Sequence, residues 1–199
     1  MIPNNQFTDP AAVSTYLYLQ DAPYTPLSQT VMGGIAIGNG SAGRLVKPWT
    51  VFYESGLIQV KPNDGNVVLT LPATNVKSVS LAFDGNMSPV INWQISTTAG
   101  GMNLYYFDAI TNNYITRFFA NTNSCRVAVD DPRDFYTASS DVIVSYTING
   151  YLYYRIQRER YDIQRLIGPA GELIRLGANI GDRLQFQYIA SDNPPHPQL

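Results

Sequence analysis

The sequence predicts an all-β fold of antiparallel hairpins and meanders, preceded by an extended N-terminal arm, on three observations. The first is Asn149-Gly150, set between DVIVSYTI and YLYYRIQ, two runs rich in β-branched and aromatic residues with no helical spacing of apolar positions. An Asn-Gly pair so flanked is the strongest short-range hairpin signal. The second is a succession of short apolar runs separated by Gly, Asn and Asp turns. The third is an internal repeat: PVINWQIS, NLYYFD and YITRFF (Pro89 to Phe119) match DVIVSYTI, YLYYRI and RYDIQRLI (Asp141 to Ile167), with Leu104-Tyr105-Tyr106 against Leu152-Tyr153-Tyr154. Four-strand units at such spacing suit propeller blades, and two aromatic hairpins of one β-sandwich or jelly-roll suit the same pattern; both architectures stay open.

Residues 1–30 hold Pro3, Pro10, Pro23 and Pro26 and read as an extended arm lying on a neighbour, with at most a short helix from Asp9 to Gln20. Tyr16, Tyr18 and Tyr24 are its candidate interface residues, since such side chains suit a freely solvated tail poorly. Residues 31–190 form one β domain, with repeats over residues 76–119 and 125–167. From Val31 to Arg44 the glycines read as turns between short strands. Gly38 and Gly43 have the spacing of a phosphate loop, but Arg44 and Leu45 stand where that motif needs Lys and Ser or Thr.

Trp49 to Tyr53 and Leu57 to Val60 then make a hairpin about Glu54-Ser55-Gly56, a weaker third copy of the repeat, and Asn63 to Asn66 turns the chain into Val67 to Leu71. Four strands follow between Val79 and Phe119. Cys125 lies in an apolar alternation as a buried structural thiol. Asp130, Asp131 and Asp134 lack the alternation of a calcium loop and read as a solvated turn.

In the central hairpin a type I′ turn sets Ile148 opposite Tyr151, Tyr146 opposite Tyr153, Val144 opposite Arg155 and Val142 opposite Gln157. Because both faces mix large apolar and polar groups, the hairpin is expected inside a sheet. Glu172 to Leu176 and Arg183 to Ile189 are the last strands, and residues 191–199 a flexible tail carrying the chain's single His, His196.

Charged residues make up 14% of the 199, against about 25% in an average soluble protein, and Tyr is abundant at 14 copies. That balance suits surfaces buried against other protein. A net charge of −2 gives no electrostatic basis for nucleic-acid binding. No apolar run nears the roughly 18 residues that span a bilayer, and MIPNNQFTDPAAV lacks the basic and apolar parts of a secretory signal, so cytoplasmic synthesis is expected.

With one His in a Pro-rich segment, no catalytic triad, no zinc site and no cofactor are expected. A carboxylate pair for glycoside hydrolysis stays open among Glu54, Glu159, Glu172 and the aspartates, with nothing pointing to it. Trp49 and Trp93 lie in strand alternation and read as core before sugar platform. Tyr153, Arg155, Arg158 and Arg160 belong to a late cluster of Arg and Tyr, the residues that protein interfaces enrich. The competing reading is an intramolecular ladder with Glu159, Asp162, Glu172 and Asp182.

The block SSDVIVSYTINGYLYYRIQRERYDIQRLI with IRLGANIGDRLQFQY resembles a segment of virion structural proteins of short-tailed bacteriophages, and AFDGNMSPVINW and LYYFD are similar to the same proteins, so the resemblance spans residues 76–190. It implies a non-enzymatic tail or neck component, made in the host cytoplasm, located in the virion, and assembled as a ring or repeated copies with other virion proteins. A β-rich module binding a host-surface glycan and a capsid decoration protein are the alternatives.

Overall fold

The structure, a computed structural model, describes residues 31–40, 45–62, 65–84, 86, 88–129, 141–178 and 184–189. The arm, the 130–140 loop and the 191–199 tail lie outside these residues, and with them the expectations placed there, including Tyr16, Tyr18 and Tyr24.

Four antiparallel sheets carry the described chain. The first is β1 (Val31–Gly40), β2 (Leu45–Glu54), β3 (Leu57–Pro62) and β4 (Leu69–Pro72). The second is β5 (Val76–Phe83), β6 (Pro89–Ile95), β7 (Gly101–Asp108) and β8 (Asn113–Ala120). The third is β9 (Asn123–Val129), β10 (Val142–Ile148), β11 (Tyr151–Ile156) and β12 (Arg165–Pro169). The fourth pairs β13 (Glu172–Ala178) with β14 (Leu184–Ile189).

In each sheet the strands follow in chain order, and the two Leu-Tyr-Tyr segments, on β7 and β11, both take third place. First strands pack on first strands, β1 on β5, β5 on β9 and β9 on β13. This is the arrangement of consecutive propeller blades and differs from a two-sheet sandwich.

Strand alternation explains the stacking, because side chains of odd and even positions leave a strand on opposite faces. Val79, Leu81, Phe83, Ile91 and Trp93 of the second sheet join Val51, Ile58 and Val60 of the first in one core. Ala82, Val90, Met102, Leu104 and Tyr106 leave the opposite face and join Val127, Val142, Val144 and Tyr146 of the third sheet. Leu152 and Leu173 with Ala170 continue the core toward the fourth sheet. A sheet buried on both faces cannot show an apolar-in, polar-out pattern, which is why β10 is buried at all but its last residue. Among the described residues no helix is long and apolar enough to cross a membrane.

The central hairpin has its expected register over Ile148↔Tyr151, Tyr146↔Tyr153 and Val144↔Arg155. Asn149 and Gly150 both have positive φ, 49° and 79°, as a type I′ turn requires. Cys125 is buried, also as expected.

Three expectations are corrected. Val142 and Gln157 do not pair in the ladder: Gln157 opens a 3₁₀ turn (Gln157–Glu159), and its side-chain oxygen accepts the Val142 N–H at 3.2 Å instead. The third strand of that meander begins at Arg165 rather than near Arg160, because Arg160 and Tyr161 both turn left-handed, at φ 54° and 58°, and break the extended run. The glycine-rich stretch after Val31 is one ten-residue strand with a bulge between Met32 and Gly34, not short strands joined by turns. Its partner strand begins at Leu45, four residues before Trp49.

Candidate interaction surface

The boundary between the second and third sheets is held by arginines. Arg160, carried just past the 3₁₀ turn, lays its guanidinium on the Asp108 carboxylate at the end of β7, Nη2 to Oδ2 at 2.7 Å and Nε to Oδ1 at 3.2 Å. Asp108 is 1% exposed at its side chain and also accepts from the Ile110 N–H and the Thr111 hydroxyl. Burial pushes the Asp108 carboxyl upward, but these donors and the Arg160 charge outweigh it and hold the group below its ordinary value.

Arg117 on β8 reaches across to Asp162 at 2.7 Å and donates to the Arg160 carbonyl. Arg155 on β11 donates to the Tyr146 hydroxyl at 2.6 Å and to the backbone oxygens of Tyr161 and Asp162 at 2.8 and 2.7 Å. The guanidiniums of Arg117 and Arg155 both lie over the Phe119 ring, 5.2 and 5.1 Å from its centre. Arg165 forks onto Glu159, and that hydrogen bond, with the nearby charge, holds the glutamate below its ordinary range.

The four interface residues expected on the β domain therefore meet around one seam. Tyr153 is half-buried and stacks on Tyr146, with ring centres 6.2 Å apart. Arg155 and Arg160 spend their donors inside the chain. Arg158, 65% exposed at its side chain, pairs with Asp141 at 3.2 Å. The ladder weighed against an interface uses Glu159 and Asp162, but Asp162 pairs with Arg117, outside the late arginine cluster, and Asp108 went unforeseen. The pairing of Asp108 with Arg160 spans 52 residues, so no local spacing announces it.

At the turn end of the seam, Asp84, Asp108, Asp141, Arg158 and Arg160 surround a cavity of about 410 Å³. Each of the three aspartates is committed: Asp84 accepts from the Asn86 and Ser88 N–H groups and from Gln157, Asp108 from Arg160, and Asp141 from the Arg158 N–H. Among the described residues no group of three His, Cys, Asp or Glu is placed to hold a metal ion. The arrangement is that of a charge-paired junction between sheets.

The boundary between the first and second sheets has a different chemistry. Its inner half is core, but its outer half is a cleft with two cavities of about 340 and 470 Å³. Trp49, Leu69, Phe83, Tyr105 and Tyr114 line one, and Leu71, Trp93, Asn103, Thr116 and Phe118 the other. Tyr105 and Tyr114 stack in parallel at 5.0 Å, and burial, then the neighbouring Tyr114, raises the Tyr105 phenol. Phe118 lies over bare backbone at Gly101, where a Cβ would stand 2.7 Å from Cε2 of its ring. Trp93 is core, as its strand alternation implied, while Trp49 is half-buried at the cleft. Sequence alone does not reveal this cleft, since its side chains come from seven strands, β2 to β8.

Comparison of the chain with protein-family models, with curated proteins and with solved structures finds no match in any of the three.

Proposed function

We propose that the protein is a non-enzymatic structural component of a bacteriophage virion, part of the tail or neck, which assembles with copies of itself and with other virion proteins. The observation that carries the assembly reading is where the large exposed apolar side chains lie. Of the ten among the described residues, five are on the outermost strand of a sheet, Tyr114 and Phe118 on β8, Leu166 on β12 and Tyr188 and Ile189 on β14; Val67 and Val68 lead into the outer strand β4, Leu57 is on β3, and Ile110 and Ile163 are in turns or loops. Outer strands present unpaired backbone groups, and proteins that must remain monomeric protect such strands with charge, proline or bulges. Here Arg117, Arg155 and Arg160 are engaged at the seam, and the outer strands also carry these exposed apolar side chains, a mixture that suits a protein–protein contact. The virion assignment rests on the sequence resemblance over residues 76–190.

The test is the mass of the full chain in solution, with and without residues 1–25, together with mass spectrometry of purified particles made in its presence. A multimer that the deletion reduces to a folded monomer, and recovery of the chain in particles, support the reading. A full chain that stays monomeric at high concentration and is missing from particles rejects it.

A further inference from the structure

We infer that the apolar cleft between the first and second sheets is the docking groove for the proline-rich segment Asn193-Pro194-Pro195-His196-Pro197 of a second copy of this chain. The inference rests on the assembly reading only for its partner, because the groove's chemistry is argued independently.

The walls of the cleft are sheet faces, and the backbone groups that the outer strands β4 and β8 leave unpaired point along the plane of their own sheets rather than across the cleft. An occupant entering between them finds side chains and little free backbone. An ordinary extended strand would bury N–H groups without acceptors, at a cost comparable to a lost hydrogen bond each. A proline segment has few N–H groups to satisfy, is pre-set to the polyproline II form, and presents ring faces and free carbonyls.

The cleft complements it on both counts. Aromatic faces are supplied by Tyr105, Tyr114, Phe118 and Trp49, and donors by the tyrosine hydroxyls, the Thr116 hydroxyl and the Asn103 amide. The indole N–H of Trp49 also has no acceptor among the described residues. Aromatic-lined grooves of this composition are the known receptors of P-x-x-P segments. Pro194-Pro195-His196-Pro197 has that spacing.

The geometry favours a second copy over the chain's own segment. Pro194 lies five residues past Ile189 on the fourth sheet, about 17 Å of fully extended chain. The fourth sheet packs on the third and the third on the second, so two further sheets, each about 10 Å from the next, stand between the end of β14 and the cleft.

The test uses the full chain carrying Pro194→Ala and Pro197→Ala, titrated with the peptide SDNPPHPQL and with its counterpart bearing alanine at the same two prolines, followed by aromatic NMR shifts and tryptophan fluorescence. The inference expects saturable binding of the native peptide, at least tenfold weaker binding of the alanine peptide, and loss of binding when Val68→Lys or Tyr114→Ala is added. Both positions are exposed, at 63% and 42%, and an unchanged circular dichroism spectrum establishes that the variants fold. The unsubstituted chain should self-associate more strongly than the double-proline variant. Absence of binding, equal binding of the two peptides, or indifference to the cleft substitutions overturns the groove. Occupancy of the cleft in the unsubstituted chain that does not change with dilution overturns the second copy. The peptide titration reads the groove even if the full chain proves monomeric, so its failure and failure of the assembly reading are separate results.

Discussion

Arg160, held left-handed at φ 54°, places its guanidinium 2.7 Å from the carboxylate of Asp108 and joins the turn after β11 to the end of β7. The same residue's carbonyl accepts from the Tyr106 hydroxyl at 3.2 Å and from Arg117. One strained backbone position thus serves both directions of the contact between two sheets.

Acid should loosen this contact. The folded-state carboxyls of Asp108 and Glu159 lie below their ordinary values of 3.8 and 4.5, so the stabilisation they give is fully present above those values. It is lost as pH falls through the depressed folded values. Thermal unfolding measured from pH 5 to pH 2 should show a falling Tm whose steepness is reduced in Asp108→Asn. A variant as steep as the parent would assign the acid sensitivity elsewhere. At neutral pH, Arg160→Ala should lower Tm more than Arg158→Ala, since Arg158 is mostly solvated.

Tyr161 gives a less intuitive expectation. The side chain is fully buried, edge-on to Tyr106 with ring centres 4.8 Å apart, and its hydroxyl has no partner among the described residues. Burial, followed by Tyr106, Asp141 and Asp84, drives its ionisation well above the ordinary value. Tyr161→Phe should therefore be neutral or stabilise by about 1 kcal/mol, while Tyr161→Ala should cost about 3–5 kcal/mol through the cavity left behind. Urea titration measures both, and a clear loss in the Phe variant would show that the hydroxyl is satisfied in solution.

Gly150, at φ 79°, closes the central hairpin. Gly150→Ala should cost about 1–2 kcal/mol, because a Cβ in that conformation crowds the following carbonyl. Gly168, where an added Cβ would meet nothing within 4 Å, is the control for loss of glycine at a site without positive φ. Equal effects of the two substitutions in denaturant would count against the turn type.

Cys125 should resist alkylation at pH 8 in the native protein and react once unfolded. Burial pushes its thiol up to about 12, leaving almost no thiolate. Reaction without denaturant would mean that the second and third sheets separate readily.

The parts of this fold legible in the sequence were those fixed by neighbours along the chain. Asn149-Gly150 set the register of six cross-strand pairs, and the Leu-Tyr-Tyr match picked out two strands that occupy third place in their sheets. The ten-residue β1 was missed because glycine carries a weak strand signal even where the ladder is continuous. Arg160 with Asp108 was missed for a different reason: the pair exists only once two sheets are stacked, and nothing in either segment encodes the stacking angle. The cleft was hidden in the same way, since Leu69 and Tyr114 acquire a relation only through the splay of their outer strands.

The adjacency of the first strands has a consequence for how the chain forms and changes. Each sheet is completed by residues that follow one another in sequence and need not wait for a strand from another sheet, which favours stepwise folding, sheet by sheet, during synthesis. The row β1, β5, β9, β13, with the arginine seam between the second and third sheets, ties one sheet to the next. Such an array behaves as a one-dimensional lattice whose stability is the sum of unit and nearest-neighbour terms, so its units of forty-odd residues are open to duplication or loss one at a time.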